Sequence, residues 1–164
     1  MNRPKILMVE DSEDNLRILA YRLRKLGDFD LREARDGREA VAAVEADPPD
    51  LIFMDLGLPR MDGWEATRRI RELPGGKEVR IVALTARVDR RDYERAVDVG
   101  CDDFIPKPVV KSEVIDQALR RWLRRGAAWQ HPASVATVQV EKRSPRARGL
   151  ENATSTSSRS CSAQ

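Results

Sequence analysis

The stretch Leu51-Ile52-Phe53-Met54-Asp55-Leu56-Gly57-Leu58-Pro59-Arg60-Met61-Asp62-Gly63 decides the fold. Its first four residues form an unbroken apolar run bounded by turn signals. Such a run reads as a strand buried on both faces. Asp55 follows at the C-terminal end of that strand. A turn containing Gly57 and Pro59 comes next, and a helical pattern opens at Gly63 with Ala66, Ile70 and Leu73 inward. Pro74-Gly75-Gly76 ends it.

Outward from this unit, in both directions, the same order repeats. Ile6-Leu7-Met8-Val9 is a second apolar run that ends in acids, Glu10-Asp11. Leu16, Leu19, Ala20, Leu23 and Leu26 recur at helical spacing, and Gly27 stops that helix. Phe29 to Ala34 reads as a strand, Asp36-Gly37 as a turn, and Ala40, Val41 and Val44 as a helix that Pro48-Pro49 ends. Val79 to Leu84 is a β-branched strand. Tyr93, Ala96 and Val97 mark a shorter helix ended by Gly100, and Phe104-Ile105 a short strand. Val114, Ile115, Ala118, Leu119, Trp122 and Leu123 form an amphipathic helix. Five strand-then-helix units imply an α/β fold, a doubly wound parallel sheet with helices on both faces. In such sheets ligands bind outside the C-terminal ends of the strands, at a topological switch point.

Composition narrows the function classes. The 164 residues carry 30 Lys+Arg and 27 Asp+Glu, a formal charge of +3. Residues 1–126 hold 25 of each sign, so the excess belongs wholly to residues 127–164. A neutral body with a mildly basic tail is a poor footprint for nucleic-acid binding. The expected organisation is a domain over 1–126 and a basic, Ser/Thr-rich, disordered tail over 127–164. No apolar run approaches the roughly 18 residues that span a bilayer, so membrane insertion is not expected. The N-terminus lacks a signal-peptide pattern, which makes the cytoplasm the expected compartment. Cys101 and Cys161 form no CxxC pair, and Cys101 reads as a small buried hydrophobe. The single histidine, His131, excludes a multi-histidine metal site and lies in the tail.

The expected strand ends carry Glu10-Asp11, Asp55, Thr85 and Lys107. The fold would gather these five residues at one edge. Two carboxylates ~4 Å apart repel by about 4 kcal/mol at an effective dielectric of 20. A proton or a cation must relieve them. Hard oxygen ligands with room for water suit Mg²⁺. Lys107 offers a compact positive charge for a phosphate oxygen, and Thr85 a hydroxyl donor. A divalent ion, a lysine and a hydroxyl around one carboxylate make a cradle for phosphoryl transfer, with the carboxylate as nucleophile.

These residues resemble the receiver domain of two-component response regulators. The resemblance rests on Ile6-Leu7-Met8-Val9-Glu10-Asp11, Phe53 to Gly63, Ala83-Leu84-Thr85-Ala86 and Asp103-Phe104-Ile105-Pro106-Lys107-Pro108, and it covers about residues 4 to 125. It implies a flavodoxin-like (βα)5 fold with strand order 2-1-3-4-5. It implies that Asp55 accepts a phosphoryl group from a histidine kinase or a histidine phosphotransfer protein. By position, Asp11, Asp55 and the backbone carbonyl of Gly57 would ligate Mg²⁺, with Glu10 acting through water. Thr85 and Lys107 would bind phosphoryl oxygens. Phe104 takes the aromatic switch position, without the hydroxyl that many members have there. The Lys107-Pro108 bond would be cis.

Side chains two positions after Asp55 and Thr85 flank the path of hydrolytic water in that family. Here they are Gly57, which leaves the path open, and Arg87, which screens it or draws in an acidic partner. Glu10-Asp11 also suits a helix N-cap with Ser12. Asp62 and Gly63 read as a helix start without chemistry, and Arg90-Arg91 and Arg120-Arg121 as solvated faces.

About 38 residues follow Gly126, too few for an ordinary second core, so a stand-alone receiver resembling chemotaxis regulators is expected, signalling by phosphorylation-dependent binding of a downstream target protein or by phosphorelay. It would be a signalling phosphoacceptor, not an enzyme beyond self-phosphorylation and slow self-dephosphorylation. The alternatives are a phosphorylation-independent interaction module and an aspartate-nucleophile hydrolase. The latter lacks a second acid two residues after Asp55, where Gly57 stands.

Overall fold

The computed structural model describes residues 3–86, 90–109 and 111–123. Arg87, His131, Cys161 and the expected tail over 127–164 lie outside the described residues. The elements run β1 (Lys5–Val9), α1 (Glu13–Leu26), β2 (Asp30–Ala34), α2 (Gly37–Ala46), β3 (Leu51–Asp55), α3 (Gly63–Glu72), β4 (Arg80–Thr85), α4 (Arg90–Val99), β5 (Asp103–Pro106) and α5 (Ser112–Trp122). The strands form one parallel sheet in the order β2-β1-β3-β4-β5. This is the flavodoxin-like arrangement that the resemblance implied. The order reverses at β1, whose two neighbours β2 and β3 lead the chain to opposite sides. That makes the C-terminal ends of β1 and β3 the switch point.

Alternation along the strands fills two cores. In β1, Leu7 and Val9 face the layer of α2, α3 and α4, while Ile6 and Met8 face α1 and α5. Ile52 and Met54 of β3 join the first layer, Leu51 and Phe53 the second. Both faces are covered, so these strands carry no polar side chain until their ends. The edge strand β2 is different: Arg32 and Glu33 stand among partly buried and exposed positions. Such charges blunt an edge against pairing with another chain.

The first three helices start where a side chain satisfies an N–H group of the first turn. Ser12, Asp36 and Asp62 cap α1, α2 and α3, accepting hydrogen bonds from the backbone N–H of Asn15, Glu39 and Glu65. Each such cap stabilises by about 1 kcal/mol. The sequence pattern misplaces one face: Val97 is 55% exposed, although it marks the α4 periodicity. Ala96 takes the core position beside it. A ten-residue helix has too few turns for its pattern to settle which neighbour faces inward. No helix among the described residues is long and apolar enough to cross a membrane.

Candidate functional site

Strand order brings the chemistry together. β1, β3, β4 and β5 lie side by side, and each ends in, or is followed by, a polar residue on the same edge. Val9 pairs with Met54, so Glu10 follows β1 next to Asp55, the last residue of β3. Thr85 ends β4 opposite Pro106, and Lys107 follows β5. The Lys107 N–H donates to the Thr85 carbonyl at 2.6 Å. The Lys107-Pro108 bond is cis, as the resemblance implied.

The acids converge. Carboxylate oxygens of Glu10, Asp11 and Asp55 lie within 4.8 Å of one another. Glu10 and Asp55 are buried at 3% and 6% exposure, while Asp11 is exposed. Lys107 Nζ sits 2.5 Å from Glu10 Oε2 and 2.7 Å from Asp55 Oδ2. Burial works against the Lys107 ammonium. Hydrogen bonds and charge from Asp55 and Glu10 outweigh it and hold the group above the ordinary lysine value. The other oxygens are held by the chain itself. Asp55 Oδ1 accepts the Gly57 N–H at 2.9 Å. Glu10 Oε1 accepts the Asn15 side-chain amide at 3.1 Å and the Ser12 N–H at 3.4 Å.

Three carboxylates against one lysine leave a formal charge of −2. At 4.8 Å each pair of acids repels by about 3–4 kcal/mol at an effective dielectric of 20. The donor set consists of hard oxygens, partly buried and under-neutralised by two charges. That set fits a divalent, oxygen-seeking cation such as Mg²⁺.

Thr85 is buried at the strand end beside this cluster. Phe104 is partly buried and packs against the core layer under α2, α3 and α4. Gly57 is exposed next to Asp55.

A family model for the response regulator receiver domain matches residues 6–120. The chain belongs to the receiver family. That is a family of signalling phosphoacceptors rather than of classical enzymes. The chain is 40% identical over 131 residues to hybrid signal transduction histidine kinase B of Dictyostelium discoideum, covering 73% of this chain and 7% of that protein. It spans about half the length, or less, of the first curated relatives it matches.

Among solved structures it resembles the receiver domain of sensor histidine kinase PA1611 from Pseudomonas aeruginosa, which has a magnesium ion coordinated in its active-site cleft. That similarity has a TM-score of 0.68 at 37% identity and covers 74% of this chain and 98% of that one. It also resembles the receiver domain of Ssk1 from Saccharomyces cerevisiae, solved in complex with the histidine phosphotransfer protein Ypd1. There the TM-score is 0.67 at 35% identity, over 73% of this chain and 88% of that one.

Two residues of this receiver escape a reading of the sequence. Asn15 belongs to α1 by its spacing, yet its amide reaches back to Glu10. Gly63 is more than a helix start: a Cβ there would lie 2.1 Å from the Asp55 carbonyl oxygen and 2.8 Å from Leu56 Cα. The first turn of α3 therefore rests directly against the backbone of Asp55. The signal in the sequence was a glycine at the first helical position, where nearly any residue is tolerated locally.

Proposed function

We propose that this receiver takes a phosphoryl group on Asp55 from the phosphohistidine of a histidine kinase or a histidine phosphotransfer protein. A carboxylate oxygen of Asp55 attacks phosphorus, the P–N bond breaks, a P–O bond forms, and the imidazole leaves with a proton from solvent. The carrying observation is the buried Asp55 carboxylate at the switch point, flanked by two acids and paired with Lys107 at 2.7 Å. Asp11, Asp55 and the Gly57 carbonyl would hold Mg²⁺, and Glu10 would act through water. The ion, when bound, neutralises charge on the transferring phosphoryl oxygens.

The chain's own groups do the rest. Gly57 N–H orients one oxygen of Asp55. Lys107 exchanges its carboxylate partner for a phosphoryl oxygen, and the Thr85 hydroxyl donates to another. The added charge biases a two-state element, with Phe104 repacking against the layer of α3 and α4. The output is phosphorylation-dependent binding of a target protein or onward transfer, with the cytoplasm as compartment. Residues 1–126 form the receiver, and 127–164 a basic tail.

Trp64 supplies the test. It follows Gly63, is 9% exposed, and lies under the Arg95 guanidinium at 4.5 Å from the ring centroid. Beryllofluoride stands in for the phosphoryl group. Titrating it should change tryptophan fluorescence in the wild type with Mg²⁺ present, but not without Mg²⁺, not in Asp55→Asn, and not in Trp64→Phe, which leaves only Trp122 and Trp129. If calorimetry detects no binding to the wild type, the phosphoacceptor role is wrong and a phosphorylation-independent interaction module takes its place.

A further inference from the structure

The loop between β3 and α3, residues 56–62, carries Gly57 and is fastened in two places. Beside Asp55, the Leu56 N–H donates to the Leu84 carbonyl at 3.0 Å, and the Gly63 N–H to the Leu56 carbonyl at 3.3 Å. At its far end a separate set of contacts ties it to the start of α2. Arg60 Nε donates to Asp36 Oδ2 at 2.5 Å. The Gly37 N–H donates to the Met61 carbonyl at 3.1 Å, and a Cβ on Gly37 would fall 2.5 Å from that oxygen.

Two features of this tie need explaining. Asp36 is a charged residue at 3% exposure. Its Oδ1 caps α2 through the Glu39 N–H at 2.8 Å, which leaves Oδ2 for a cation. Arg60, the cation, has φ of +63°, a left-handed conformation that glycine or asparagine adopts at far less cost. A strained non-glycine residue persists only where its surroundings over-determine it. Here the surroundings are a buried carboxylate within reach of the guanidinium, and a backbone bond at the very next residue. Neither phosphoryl transfer nor metal binding, as described above, uses Arg60 or Asp36.

We propose that the Arg60–Asp36 pair is a positioning device, which anchors the loop to α2 and so holds Asp55 and Gly57 in register with Glu10 and Asp11 for the divalent ion. The inference rests on the metal-dependent role proposed above. Arg60 and Asp36 touch neither the ion nor the phosphoryl group. They act through the loop.

The sign of the Arg60 effect separates positioning from simple charge. Arg60 is a cation on the loop that carries Gly57 and is paired with Asp36, so removing its charge alone should not weaken Mg²⁺ binding. Loss of positioning should weaken it. Arg60→Gly suits the test because it also relieves the left-handed backbone, so the variant is expected to fold. Asp36→Asn keeps the cap on α2, since asparagine caps as well as aspartate, and removes the charge pair.

Mg²⁺ affinity would be measured by calorimetry on the full chain, with Trp64 fluorescence in parallel, where circular dichroism shows every variant folded. Expected are a dissociation constant raised on the order of tenfold in Arg60→Gly, a similar rise in Asp36→Asn, and no further rise in the double variant. An unchanged or tighter constant in Arg60→Gly overturns the proposal. So does a double variant whose losses simply add. If the wild type itself binds no Mg²⁺, the metal-dependent function fails first and this role fails with it.

Discussion

Replacing Lys107 with methionine keeps most of the stem and deletes the charge at the centre of the site. The ammonium lies 2.5 Å from one buried carboxylate and 2.7 Å from another. At an effective dielectric of 20 each attraction is about 6–7 kcal/mol. Desolvation of the three groups offsets most of that, and breaking a buried pair costs about 3–5 kcal/mol net. A second limit comes from protons. One proton on the cluster restores the formal charge of −2 that lysine maintains. An unfolded carboxyl titrates near 4, so holding that proton at pH 7 costs about 1.4 kcal/mol per pH unit, or about 4 kcal/mol. Lys107→Met should therefore lose about 3–4 kcal/mol at pH 7 without Mg²⁺, and only about 1–2 kcal/mol at pH 5.

The sign follows from proton counts. The folded variant keeps a proton that its unfolded chain has released, so its stability falls as pH rises from about 4 toward 7. Wild-type Lys107 is raised above its ordinary value. Its contribution is complete below about 10.4 and is lost only as pH rises through the folded value, so it stays constant across this window. Urea unfolding of both proteins at pH 5, 6 and 7 in a chelator measures the difference. Added Mg²⁺ should then stabilise the variant more than the wild type, because the ion can displace the retained proton and meet all three carboxylates, whereas in the wild type Lys107 already occupies oxygens of Glu10 and Asp55. A loss independent of pH would refute the reasoning, since it would mean that packing of the stem, not charge, is what Lys107 supplies.

Gly63→Ala should cost about 2–3 kcal/mol in urea unfolding, because its Cβ would meet three backbone atoms of residues 55 and 56 that cannot rotate away. Its Mg²⁺ affinity should fall with it, and a stability within about 0.5 kcal/mol of wild type would show that α3 can slide. Arg71→Ala should cost about 3 kcal/mol or more. The Arg71 guanidinium donates to the carbonyls of Gly76, Gly100 and Val79 and to Asp102, tying α3 to the starts of β4 and β5. Arg71→Lys should not restore it, because an ammonium cannot span that planar set. Cys101 is pushed up to about 11 by burial, so at pH 8 it should alkylate about 100-fold more slowly than an ordinary thiol. Peptide mass spectrometry after timed labelling, with and without urea, reads that rate at this residue.

The strands and helices were legible because their signals are local. Four-residue apolar runs, proline pairs and capping aspartates act within a few residues, and the acid after each run marks a strand end. The resemblance then implied the strand order, which the sheet β2-β1-β3-β4-β5 bears out. Element boundaries moved by a residue or two: β2 begins at Asp30, with Phe29 left in the core ahead of it, and β5 extends to Pro106.

What the tertiary structure alone decided is how charges and close approaches are shared between distant segments. Lys107 is 97 residues from Glu10, and no local pattern announces that it bridges that acid to Asp55. Nothing in the sequence sets Arg71 apart from the other arginines, yet at the end of α3, partly buried and paired with Asp102, it becomes a joint. Arg60 stands in the turn after β3 and Asp36-Gly37 reads as a separate turn, and no local pattern joins the two. Gly63 reads as a helix start until the Asp55 carbonyl is seen against it. Periodicity and caps are set by neighbours along the chain. Ion pairs and steric contacts are set by neighbours in space, and those exist only once the sheet has ordered its strands.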